Sequence, residues 1–180
     1  MKKTFFLLAA LLVSFVMMAQ EEPIVKTPSG YQGFLEQGSI YRLADDANTT
    51  IGVSTTHGFY FGGHTFIGIG FAVEGGGEFF AVPVYTAVKY NFGYSKTVTP
   101  TVQVRLGSYL SDDPGTYADL AVGVRFGSKR DFAVNIMLTG TFYEGMKYQD
   151  SYWDDMVGSV VYNTKVFNPS GIGLRVGIEW

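Results

Sequence analysis

The stretch Ser170–Trp180 (SGIGLRVGIEW) constrains the fold more than any other part of the chain. Side chains on an extended strand alternate between its two faces. Ile172, Leu174, Val176, Ile178 and Trp180 fall on one face; Gly171, Gly173, Arg175, Gly177 and Glu179 fall on the other. The first face is wholly apolar and ends in an aromatic. The second is glycine with one charge of each sign. Such a strand needs an apolar environment on one side and a narrow polar space on the other.

The same alternation recurs upstream. Thr65–Glu74 sets Ile67, Ile69, Phe71 and Val73 against Gly68, Gly70, Ala72 and Glu74. Phe79–Phe92 sets Phe80, Val82, Val84, Thr86, Val88 and Tyr90 against Ala81, Pro83, Tyr85, Ala87, Lys89 and Asn91. Pro83 cannot donate a ladder hydrogen bond, so a bulge or local break is expected there. Val98–Leu110, Thr116–Phe126 and Asp131–Glu144 follow the same rule. Thr50–Phe61 keeps Ile51, Val53, Phe59 and Phe61 in one parity, with Thr55 and His57 between them. Tyr31–Leu43 is a further strand of ambiguous facing: Leu35 and Tyr41 share a face with Gln37, while Phe34 and Ile40 share one with Glu36 and Arg42. Turn residues separate these segments, at Ala44–Thr49, Gly62-Gly63, Gly75–Gly77, Ser111–Gly115 and Gly127–Arg130. Residues 145–169 show no clear register, although Val160–Phe167 is suited to extending the last hairpin. The expectation is eight strands and no helix.

The first 20 residues stand apart. Lys2 and Lys3, an apolar run from Phe5 to Met18, and then Ala19-Gln20 follow the order of a secretory signal peptide. The run is short for a spanning helix, which needs about 20 apolar residues. Without a cysteine, a lipid-anchored lipoprotein is excluded. The expected organisation is a signal peptide over 1–19, a short leader over 20–30 and a barrel over 31–180.

Setting aside Lys2 and Lys3 leaves 11 basic residues against 16 acidic ones, a net charge of −5. This disfavours nucleic acid as a partner, because binding phosphate needs a basic face. The lack of cysteine also rules out disulfides and thiolate metal sites.

Alternation alone does not say which face is inside, since a soluble barrel buries its apolar face. Glycine and alanine with isolated charges suit the lumen of an eight-stranded barrel, which side chains just fill. A water-facing surface would carry more Lys and Glu. The apolar parity of the last six strands is free of charge within the alternating runs, and lipid penalises a midplane Arg or Lys by roughly 2–4 kcal/mol. Phe59, Phe61, Tyr90, Phe92, Phe126, Phe142 and Trp180 gather near strand ends, where interfacial aromatic belts belong. The reading is therefore an all-β, eight-stranded, antiparallel up-and-down transmembrane β-barrel.

With VSTTHGFYF, VKYNF, TPTVQVRLGSY, AVGVRFG and the terminal strand in view, the chain resembles the small outer-membrane β-barrels of the OmpA/OmpX type in Gram-negative bacteria, of the porin family. The resemblance implies outer-membrane localisation, lipid as surroundings, and the barrel-assembly machinery as a partner in biogenesis. It also implies that Leu174, Val176, Ile178 and Trp180 form the C-terminal assembly signal. Trp180 departs from the Phe common at that position. It implies no enzymatic activity or cofactor, and a structural or interaction role through the outer loops with an extracellular partner left unknown.

Three groups of residues are candidates for function. Glu74, Lys89, Arg105, Asp119, Arg125, Arg175 and Glu179 share the polar parity, and Glu36 and Arg42 are candidates to join them. Near-balance of sign points to ion pairs that plug the lumen, because unpaired buried charges are costly. A narrow small-solute channel is the alternative. Tyr148, Asp150, Tyr152, Trp153, Asp154 and Asp155 combine aromatics with charge and suit contact outside the barrel, or capture of a hard cation. His57 with Ser54 would be the hydrolase pair of a lipid-modifying barrel, but three residues apart they point to opposite faces. His57 and His64 alone do not make a metal site. A soluble periplasmic barrel with an apolar ligand is the remaining alternative.

Overall fold

The computed structural model describes residues 30–43, 49–77, 79–93, 97–110, 114–127, 132–154 and 159–180, with backbone alone over 146–167. Eleven strands run in chain order: β1 Gly30–Arg42, β2 Thr49–Phe61, β3 Thr65–Gly76, β4 Phe79–Ala81, β5 Pro83–Asn91, β6 Val98–Tyr109, β7 Thr116–Gly127, β8 Ala133–Glu144, β9 Met146–Asp154, β10 Ser159–Phe167 and β11 Ser170–Glu179. The expected signal peptide and leader lie outside the described residues, except for Gly30, which opens β1.

All pairings are antiparallel; β8 pairs with β11 past the β9–β10 hairpin, β3 pairs with both β4 and β5, and β1 pairs with β11 from Phe34↔Glu179 to Arg42↔Gly171. The backbones of Gly33 and Trp180 exchange two further hydrogen bonds, of 2.9 and 3.0 Å. The sheet thus closes on itself. β4 and β5 are one stave interrupted at Val82, so the barrel has eight staves. The break falls beside Pro83, which pairs with Tyr109 on the β6 side while pairing with β3 lapses between Glu74↔Ala81 and Phe71↔Val84. Equal numbers of residues lie on both strands between those pairs. This is a local break, with no bulge residue, as expected where a ladder donor is missing.

The ambiguity of β1 is resolved by closure. Once β1 sits between β2 and β11, Glu36 and Arg42 turn inward with Phe34 and Ile40, and all four are buried. Tyr31, Leu35, Gln37, Ser39 and Tyr41 turn outward. On the other staves the apolar parity is outside and the polar parity inside, the reverse of a soluble barrel. Among the described outward-facing side chains, Glu144 at the end of β8 is the one charge.

Both ends of the described barrel, Gly30 and Trp180, lie at the same rim as the connections after β2, β5 and β7. The first of these is tight: Gly62 and Gly63 have φ of 60° and 71°, a backbone that side chains with a Cβ rarely adopt. At the opposite rim lie the end of β1 and start of β2, the end of β3 and start of β4, the end of β6 and start of β7, and the end of β8 and start of β11, between which the segment with β9 and β10 is inserted. In that last segment β9 pairs with β10 as the two arms of a hairpin, from Met146↔Phe167 to Asp154↔Ser159. Its apolar residues are irregularly spaced, which hid the register from a reading based on alternation. Gly145, at φ 79°, separates it from the barrel ladder, and its N–H donates to the Asn168 side chain at 2.9 Å.

Candidate functional site: the filled lumen

The lumen is built from inward parities, so each of its side chains is placed by a strand register. All seven charges predicted for it are there and buried, and Glu36 and Arg42 complete the set as five cations and four anions among the described residues. The staves bring them together in three layers.

Nearest the rim that carries the chain ends, Glu179 of β11 accepts from Lys89 Nζ of β5 at 3.0 Å and from Arg125 Nε of β7 at 3.1 Å. Asn135 of β8 joins them, accepting from Lys89 at 2.8 Å and donating to Glu179 at 3.3 Å. Lys89 also lies 4.4 Å from the centre of the Phe34 ring. The middle layer holds two pairs. Arg105 of β6 donates to Glu36 of β1 and to Ser54 Oγ of β2, the latter at 3.3 Å. Arg175 of β11 donates to Asp119 of β7 at 2.6 Å and to Thr139 Oγ1 at 3.0 Å, while Thr139 donates to Asp119. Arg175 Nε is 3.9 Å from Glu36, which links the two pairs. Toward the loop rim, Tyr143 donates to Glu74 at 2.8 Å, and Arg42 lies 3.8 Å from Glu74. The Arg42 guanidinium rests over the Phe79 ring, 3.3 Å from its centre.

Aromatic rings pack above and below these layers. Phe34, Tyr60 and Phe66 pack together at one end, with centroids 4.8 and 5.4 Å apart. Tyr85, Tyr109, Tyr117, Tyr143 and Phe79 pack at the other, with centroids 5.1 to 5.9 Å apart. The sequence reading assigned aromatics to outer belts and missed these. Tyr85, Tyr109 and Tyr143 on the polar parity were the available signal. Lumen glycines make room for the large groups: a Cβ on Gly52 would meet Glu74 Cγ at 2.7 Å, and one on Gly70 would meet Tyr85 at 2.8 Å. A cavity of about 20 Å³ remains between Ser54, Glu74, Asp119 and Arg175, room for about one water.

The other candidates separate from this network. Ser54 is buried inside on Arg105, whereas His57 is outside, bonded to Tyr31 Oη at 2.5 Å and to Thr55 Oγ1 at 2.9 Å. The sheet wall stands between them. His64 sits in the β2–β3 turn, 3.0 Å from the Asn91 carbonyl. Tyr148, Asp150, Tyr152, Trp153 and Asp154 fall on β9, opposite Lys165, Asn163, Val161, Val160 and Ser159; Asp155 lies outside the described residues. Leu174, Val176, Ile178 and Trp180 all face outward and are exposed. The Trp180 indole covers Gly33, where a Cβ would approach it to 2.9 Å.

The chain is similar to the N-terminal β-barrel domain of Pseudomonas aeruginosa OprF, at 16% sequence identity and a TM-score of 0.48, over 85% of this chain and 100% of that one. No family model and no curated protein matches it. The eight-stave barrel stands on its own strand register, independently of that likeness.

Proposed function

We propose that this chain is an integral outer-membrane β-barrel without catalytic activity. Its lumen is closed by ion pairs and rings, and it serves the envelope structurally or through its loop-rim hairpin. The observation that carries this reading is the distribution of polarity. Paired charges fill the inside. The outside is mostly aliphatic at mid-height, with Phe71, Gln37 and Thr86 as exceptions, between Tyr31, Phe59, Phe61, Tyr90, Phe126, Phe132 and Trp180 at one rim and Tyr41, Phe80 and Phe142 at the other. In water so large an exposed apolar band is an aggregation hazard. In lipid it is the matching surface, and closure leaves no unpaired strand edge. Staves of about 12 residues, tilted by about 40°, stand about 30 Å tall, enough for the roughly 25 Å band that lipid requires. The signal-like N-terminus supports export.

The lumen supports a closed barrel over a channel, since charges or rings occupy every described layer and the cavity between Ser54, Glu74, Asp119 and Arg175 has room for about one water. The separation of Ser54 from His57 supports a non-enzymatic role. Cell fractionation tests the membrane reading: the mature chain is expected in the detergent-soluble membrane fraction, with heat-modifiable migration on a gel. Recovery in soluble form without detergent would refute it. Planar-bilayer recording tests the closed lumen, and a large, stable conductance would favour the channel instead.

A further inference from the structure

Of the polar side chains that the outer wall presents at mid-height, Gln37, Ser39 and Thr86, Gln37 carries the largest polar group without a partner among the described residues. Gln37 lies on β1 between Tyr31, in one aromatic belt, and Tyr41, in the other. Its side chain faces outward and is exposed, next to outward-facing Ser39. The Gln37 amide has no hydrogen-bond partner among the described residues. Thr55, on the neighbouring strand, differs: its hydroxyl donates to the Phe34 carbonyl at 3.1 Å. The residues around Gln37 are Leu35, Val53, Leu174 and Val176, flat and without aromatics. On the opposite wall, four staves away, β6 presents Val104 and Leu106 at that height.

Resting on the membrane reading above, we propose that the β1 face around Gln37 is the contact surface for a second copy of this chain. A primary amide exposed to hydrocarbon leaves two donors and an acceptor unsatisfied, which lipid tails cannot remedy. A polar side chain inside the bilayer is accordingly a mark of a partner. The amide is self-complementary, since it donates and accepts at once. Two copies inserted in the same direction carry Gln37 at the same depth. A two-fold axis along the membrane normal therefore brings the two amides together, each donating to the other, as an isologous contact requires. The flat aliphatic surroundings allow the two walls to approach, and Ser39 lies beside the axis on both.

The chain has no cysteine, so single cysteines report proximity cleanly. Ser39→Cys and Val104→Cys variants are oxidised in native membranes. Ser39→Cys is expected to yield a disulfide-linked homodimer and Val104→Cys to remain monomeric. In parallel, Gln37→Leu is expected to weaken self-association in lipid vesicles roughly three- to thirtyfold, the range of one or two intramembrane hydrogen bonds. Equal cross-linking at both positions, a cross-link to a different protein, or wild-type and Gln37→Leu chains that are equally monomeric would each overturn the proposal. A chain absent from the membrane fraction would instead overturn the reading on which it rests.

Discussion

Glu179 holds more of the lumen than any other described carboxylate, because two cations and an amide converge on it. Replacing it with glutamine keeps the shape and removes the charge, leaving Lys89 and Arg125 opposite a neutral group. Breaking a buried pair on one side typically costs about 3–5 kcal/mol. Denaturant unfolding of Glu179→Gln in detergent or vesicles should show a loss of that size; a loss under about 1 kcal/mol would mean that the pairs are solvated. Gln103 makes the opposite case. It is 1% exposed, and neither its amide nitrogen nor its oxygen has a partner in the structure. Gln103→Met retains the volume and removes two unsatisfied polar atoms, so the same measurement should find it neutral or more stable by about 1 kcal/mol. Both residues sit on the polar parity of alternating strands, and only Glu179 was recognised from sequence as part of a network. The difference is that a charge is conspicuous on a strand face, while an amide among threonines and glycines is not. Asn135 was missed for the same reason.

At the level of elements, the staves and the β9–β10 hairpin answer to different rules. A stave is specified on both flanks, and a one-residue slip would turn its charges into the apolar outer face. This is why seven of the eight staves could be assigned facings from alternation, and why β1, with apolar residues on both parities, could not. The hairpin pairs only with itself among the described residues. Gly145 and the Asn168-Pro169 step mark where the barrel ladder stops. Joining Gly145 to Asn168 through a short Asn-Gly turn should therefore leave the barrel able to fold. Heat-modifiable migration of the shortened chain checks this. If the band shift is lost while the full chain retains it, the hairpin is part of the barrel's folding unit. The contact residues assigned to this hairpin, Tyr148 to Asp154, would be removed in that variant without disturbing the lumen.

For the molecule as a whole, the inversion of polarity is the property on which the membrane reading depends. Leu138 is 57% exposed on the outer wall, paired with Val122 and Leu174. On a water-facing wall, Leu138→Arg would be close to neutral, as surface changes usually are. At mid-depth in a bilayer it should cost about 2–4 kcal/mol. Unfolding in lipid vesicles distinguishes the two, and a neutral result would count against a lipid-facing wall. The inward charges and the apolar wall are two consequences of one closure. Eight staves enclose a space that side chains just fill, so inward charges meet one another.

The sequence by itself determined the local facts: strand positions, the parity of seven staves, the break at Pro83, the turns, and the sign and number of most lumen charges. These follow from a period of two, which is a property of single strands. Only the tertiary structure decided which charges pair, since Lys89 with Glu179 and Arg105 with Glu36 join residues 90 and 69 positions apart. It also decided that inward aromatics pack at both ends of the charged layers, and that β1 turns Glu36 and Arg42 inside and Gln37 outside. Each of these depends on the closing of β1 onto β11. That closure is a relation between the two ends of the barrel, and no stretch of sequence contains it.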